Sequence, residues 1–172
     1  MRELLDDSAR RMDAGAFDDQ PEVEAQTRVT IGESYRRLGK YTDAEQHFRR
    51  ALEINRKLSP GDALYTADAL AQLAELERLT GRLNEADQHA REVLDMLGRI
   101  GGGSRIYGAA LNVRGMVEMN RANFPEAETL FRECIARLTA VRRPARRGGR
   151  HDAESRRALY ENGTDGRRPI DD

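Results

Sequence analysis

From residue 21 to about residue 140, apolar side chains recur at three- and four-residue intervals, the spacing of one helical face. Pro21 follows Asp18, Asp19 and Gln20, where a first helical turn tolerates proline. Val23, Val29, Ile31, Tyr35 and Leu38 come next, and Gly39 closes the predicted helix. Thr42 and Asp43 open another, which carries Phe48, Ala51, Leu52 and Leu58. Ser59-Pro60-Gly61-Asp62 reads as a turn. The pattern then predicts helices over about 62–80, 84–98, 104–120 and 124–140, with Gly101-Gly102-Gly103 as a loop. A shorter amphipathic helix is expected over Glu3–Arg11. The signals are helical throughout, so the fold class expected is all-α.

The helices come in pairs because the sequence repeats. Leu38-Gly39-Lys40-Tyr41-Thr42-Asp43-Ala44 returns as Thr80-Gly81-Arg82-Leu83-Asn84-Glu85-Ala86 and again as Arg121-Ala122-Asn123-Phe124-Pro125-Glu126-Ala127. The periods are 42 and 41 residues. Twelve residues before each final Ala stand Gly32, Ala74 and Gly115; four after it come Phe48, Ala90 and Phe131; seven after it come Ala51, Val93 and Cys134. Small residues recur where two helices approach closely, and large ones where a hole must be filled.

These positions resemble the tetratricopeptide repeat (TPR) family. Its small residue, its turn Gly, its first Ala, its aromatic and its second small residue match Gly32, Gly39, Ala44, Phe48 and Ala51. The second repeat has Ala74, Gly81, Ala86, Ala90 and Val93, and the third has Gly115, Ala122, Ala127, Phe131 and Cys134. Departures are Glu77 and Glu118 in place of Tyr35, and Arg114 in place of Ile31. The usual repeat is ~34 residues, so this one is longer by roughly one turn per helix. In length it resembles the kinesin-light-chain type. The N-terminal run through Phe17 to Ala25 resembles the segment ahead of the repeats in bacterial serine/threonine protein kinases, although no kinase motif is present.

The resemblance implies a right-handed superhelix of antiparallel helix pairs, with an N-terminal helix and linker (1–20), a TPR domain (21–140, repeats about 21–60, 61–103 and 104–140) and an irregular C-terminal tail (141–172). It further implies a concave groove lined by the first helix of each pair. The groove residues so assigned are Gln26, Glu33, Arg36 and Arg37 in the first repeat, Glu75 and Arg78 in the second, and Asn112, Met116, Met119 and Asn120 in the third. Val29, Asp68, Ala71, Leu79 and Ala109 occupy the remaining lining positions. The implied ligand is a peptide or helical segment of another protein. The Lys and Asn pattern of chaperone-tail receptors is absent.

Composition narrows the function further. The 172 residues are 38% hydrophobic, 34% charged and 5% aromatic, with net charge −1. That balance gives no overall pull toward nucleic acid or an anionic membrane. The tail differs: from Arg142 on there are nine Arg against six acidic residues, which leaves −4 on residues 1–141. The Arg142–Arg150 cluster has no interleaved aromatics, so it lacks a stacking platform and nucleic acid is not the expected partner. Its composition fits disorder. Read one nucleotide out of frame, Ala158–Arg167 permits a string similar to Tyr35–Tyr41, so a frameshifted fourth repeat is the other expectation for the tail.

Candidate chemistry resolves mostly into structure. His47 and His89 lie 42 residues apart at equivalent positions, which marks structural or surface roles and no metal pair. Cys134 sits at a small packing position, so a buried, inert thiol is expected. The Gly98–Arg105 stretch has neither the strand nor the Lys of a phosphate-binding loop. Asp6-Asp7 and Asp18-Asp19 fit helix starts and surface charge. The expected protein is a non-enzymatic, cofactor-free adaptor of the cytoplasm, a fragment or stand-alone relative of the repeat region of a bacterial serine/threonine kinase, with no membrane span and with self-association through an uncapped third repeat. The alternatives are the repeat portion of a transcriptional regulator and a non-functional gene remnant.

Overall fold

The computed structural model describes residues 2–17, 19–58, 63–101 and 104–142. The described residues belong almost entirely to one compact unit, residues 1–140. The Arg-rich tail, with both expectations attached to it, lies outside the described residues beyond Arg142; so do the 59–62 turn and Gly102-Gly103.

The described residues form seven α-helices: α1 (Arg2–Asp13), α2 (Pro21–Arg37), α3 (Tyr41–Leu58), α4 (Ala63–Leu79), α5 (Leu83–Ile100), α6 (Ser104–Asn120) and α7 (Phe124–Arg142). Helix α2 packs on α3 and α4 on α5, while α3 meets α4 and α5 meets α6. The result is a solenoid of antiparallel helix pairs. Position in the stack explains composition. Helix α5 has an inner face of Ala86, Ala90, Val93 and Leu97 and a polar outer face. Helix α4 touches α2, α3, α5 and α6. It is accordingly buried on most sides, through Ala67, Ala69, Leu70, Ala71, Leu73, Ala74 and Leu76, with Asp68, Gln72 and Glu75 along its remaining face.

The turn inside each pair is one motif used three times. After α2, the Gly39 and Lys40 amides donate to the Arg36 and Tyr35 carbonyls at 3.0 and 2.9 Å. Gly81 and Arg82 repeat this on Arg78 and Glu77, and Ala122 and Asn123 repeat it on Met119 and Glu118. The motif needs a left-handed residue; Gly39, Gly81 and Ala122 have φ of 72, 82 and 58°.

Close approach within a pair follows the repeat too. A Cβ on Gly32 would lie 2.6 Å from Phe48 Cε1, and one on Gly115 would lie 2.5 Å from Phe131 Cε1. The middle pair divides the volume differently, with fully buried Ala74 and Ala90. The His47 ring stacks on Tyr35 at 5.5 Å, and burial holds its pKa below the ordinary 6.5. His89 Nδ1 lies 2.7 Å from the buried Glu77 carboxylate, so the Glu that replaces Tyr35 in the second repeat has a partner.

Helix α1 closes the first repeat. Met12 is buried, and Leu5 and Phe17 pack on the core. Tyr35 Oη donates to Asp6 Oδ1 at 2.6 Å. Buried Arg28 donates to Glu24 at 2.7 Å and to Asp13 at 2.9 Å, which compensates its desolvation.

Candidate protein-binding groove

Residues three and four apart on α2, α4 and α6 face one side of the stack and line a cavity of about 610 Å³. Helix α2 contributes Glu33, Arg36 and Arg37; α4 contributes Asp68, Ala71, Gln72 and Glu75; α6 contributes Arg105, Ile106, Ala109 and Asn112. The lining is zwitterionic, with three Arg and three carboxylates. Gln72 Nε2 donates to Glu33 Oε1 at 2.6 Å. Burial pushes the Asp68 carboxyl above its ordinary range and nearby Glu33 adds to the rise, with Arg105 opposing. Arg36 Nε is buried without a hydrogen-bond acceptor.

Of the residues assigned from sequence, Glu33, Arg36, Arg37, Glu75 and Asn112 lie together on this cavity. Gln26 lines a neighbouring cavity of about 240 Å³, which shares Glu33 and Asp68 with the larger one. Arg78, Met116, Met119 and Asn120 border neither. Arg78 instead makes a double hydrogen bond to Glu75 at 2.8 Å. Met116 is half-buried, Met119 is 45% exposed, and Asn120 Nδ2 donates to the Met116 carbonyl.

Sequence reasoning did not assign Gln72, Arg105 or Ile106, nor Cys134 and Leu138 of α7, which also border the cavity. The signal for the last two was Gly108. It stands where the earlier repeats have Ala25 and Ala67, and a Cβ there would lie 3.1 Å from Leu138. The glycine lets α7 approach α6 closely enough to reach the groove. Cys134 Sγ donates to the Gly108 carbonyl at 3.2 Å, and burial raises its thiol pKa. No group of His, Cys, Asp and Glu among the described residues is placed to hold a metal ion, and no described helix is long and apolar enough to cross a membrane.

The helix pairs, their equivalent turns and the groove along their first helices define an all-α helical-repeat solenoid. Residues 23–99 and 108–141 match two family models, each described as tetratricopeptide repeat. The chain belongs to the tetratricopeptide repeat family. The TPR domain of Arabidopsis FLU is similar to it with a TM-score of 0.63 and 22% identity, over 70% of this chain and 98% of that one. A TPR-like protein from Chlorobium tepidum is similar with a TM-score of 0.61 and 21% identity, over 83% and 97%. At such identities the likeness speaks for the fold. Comparison with curated protein sequences gives no match. Tetratricopeptide repeats generally mediate contacts between proteins and are generally scaffolds, not enzymes.

Proposed function

We propose that this chain is a non-enzymatic adaptor whose groove along α2, α4 and α6 holds a peptide or helical segment of another protein. The observation that carries this reading is the joining of three first helices into one open, zwitterionic cavity of about 610 Å³. Arg36 and Arg105 on its wall are suited to a carboxylate-bearing ligand, and Ile106 and Ala109 to its apolar side. The site within the assigned set is Glu33, Arg36, Arg37, Glu75 and Asn112. Residues 21–140 form the working domain, and the long repeat and the Phe17–Ala25 run support a kinship with the repeat regions of kinesin light chains and bacterial serine/threonine kinases. The cytoplasm is the proposed compartment. Exposed Ile135 and Leu138 on α7 support weak self-association at that end when no partner is present.

A photo-crosslinking residue at Asn112, on the groove, and another at exposed Glu53, on α3, test the reading in the producing cell. One protein captured from position 112 and not from 53, with capture lost on Arg36→Glu, is the expected result. Equal capture from both positions, or capture indifferent to Arg36→Glu, would remove the groove from the account.

A further inference from the structure

The second helix of each pair turns a stripe toward the repeat that follows. On α3 the stripe holds Leu52 and Asn55, each 7% exposed. Helix α4 packs there, and Asn55 Nδ2 donates to the Tyr65 carbonyl at 3.1 Å. The equivalent residues of α5 are half-buried Leu94 and Leu97, the latter 1% exposed, and α6 packs on that helix. On α7 they are Ile135 and Leu138, which are 61% and 41% exposed. Two apolar side chains are uncovered at positions that a first-type helix covers twice within the same molecule.

Charge repeats with the stripe. Glu45, near the start of α3, accepts both terminal nitrogens of Arg82, which follows α4, at 2.9 and 2.7 Å. Asp87, its counterpart on α5, accepts Arg114 Nε of α6 at 2.9 Å and lies 3.5 Å from Arg121, the residue after α6. The third counterpart is Glu128 on α7. It is 61% exposed and pairs within its own helix, with Arg132 at 2.6 Å. The α7 face also continues the groove, because Leu138 borders both.

We propose that the α7 face of the third repeat docks an amphipathic helix from a partner protein, with small and apolar residues on one face and an arginine at its C-terminal end. The helix takes the place on α6 and α7 that α4 takes on α2 and α3, and its arginine exchanges Arg132 for itself on Glu128. This rests on the adaptor reading and names the partner's chemistry. Self-association uses the same face and competes with the partner.

The probe is a labelled synthetic peptide of residues 63–82, the chain's own α4 with Arg82, titrated with the full chain and followed by fluorescence anisotropy. Saturable binding at one site is expected. Ile135→Asp, a change at a largely exposed position, weakens it at least about tenfold, the loss of one buried aliphatic contact. Glu128→Arg weakens it about threefold, as fits a part-exposed ion pair, and Arg82→Glu in the peptide restores it. Circular dichroism on each variant confirms an intact fold. Three outcomes overturn the proposal: no saturable binding; binding indifferent to Ile135→Asp; or a dimer in sedimentation that saturating peptide does not dissociate, which would make a second copy the occupant. Binding lost on Arg36→Glu and kept with Ile135→Asp would place the peptide in the groove, which overturns this proposal while sparing the adaptor reading.

Discussion

The second and third repeats share one plan and differ in what stands beside them. In the second, α5 is covered by α6, and Leu97 is 1% exposed. In the third, the equivalent Leu138 is 41% exposed. Asp87 gathers Arg91, Arg114 and Arg121 about its carboxylate, whereas Glu128 has Arg132 of its own helix. Gly81 makes the turn of one pair and Ala122 that of the other. The same residue type at the same repeat position thus has different energetic weight. In a solenoid each unit is stabilised by itself and by its neighbours, so the middle repeat collects two interfaces.

The largest test of that difference is a pair of truncations. Leu97→Ala removes a buried side chain from a packed joint and is expected to cost about 2–5 kcal/mol. Leu138→Ala removes a side chain still partly in water and is expected to cost less than about 1 kcal/mol. Urea unfolding of both variants measures the gap. Equal losses would mean that the α7 end is as well covered as the α5 end.

Charge provides a smaller contrast, with a pH signature. Burial by itself raises the Asp87 pKa, but hydrogen bonds from Arg114 and Arg91 outweigh it and hold the carboxyl below its ordinary 3.8. A depressed folded-state value means that the unfolded chain binds the proton more readily in acid. The stability contributed by Asp87 is therefore full above the unfolded value and is lost as the pH falls through the lower folded one. Asp87→Asn is expected to cost on the order of 1–2 kcal/mol at neutral pH, for charged hydrogen bonds with partly exposed partners, and to remove that part of the acid loss. Glu128→Gln is expected to cost less than about 0.5 kcal/mol at neutral pH, as for a helix-surface pair. Denaturant titrations from neutral pH into acid separate the two, and a wild-type acid limb unchanged in Asp87→Asn would remove Asp87 from this role.

How much of this was legible depended on whether a property repeats. Helix order and the turns follow from Gly39, Gly81 and Ala122 and from the Gly32/Phe48 and Gly115/Phe131 pairs, all local and periodic signals. The α2, α4 and α6 wall follows from the same register. Arg78 does not border the cavity, and its guanidinium pairs with Glu75, three residues earlier on its own helix. Pairing of that kind depends on rotamers, which periodicity does not encode. Leu138 and Cys134 reached the groove through Gly108, a tertiary approach that one missing Cβ permits. The charged joints Glu45–Arg82 and Asp87–Arg114 join residues 37 and 27 apart, at offsets that differ between repeats.

The turns supply the finest contrast. Gly81 at φ 82° is at ease in the left-handed region, while Ala122 at φ 58° carries a Cβ against the neighbouring carbonyl. That conformation costs a non-glycine residue about 1–2 kcal/mol. Glycine would relieve it, but the freer unfolded chain takes back roughly 0.5–1 kcal/mol. Ala122→Gly is therefore expected to stabilise the protein by about 0.5–1 kcal/mol, and Gly81→Ala to destabilise it by a similar or slightly larger amount. The sign matters more than the size, because most substitutions destabilise. Hydrogen exchange places the effect: slower amide exchange in α6 and α7 of Ala122→Gly, with α2 and α3 unchanged, is the expected pattern. A destabilised Ala122→Gly would show that the third turn is relaxed as it stands, and that the weakness of the third repeat lies wholly in its uncovered face.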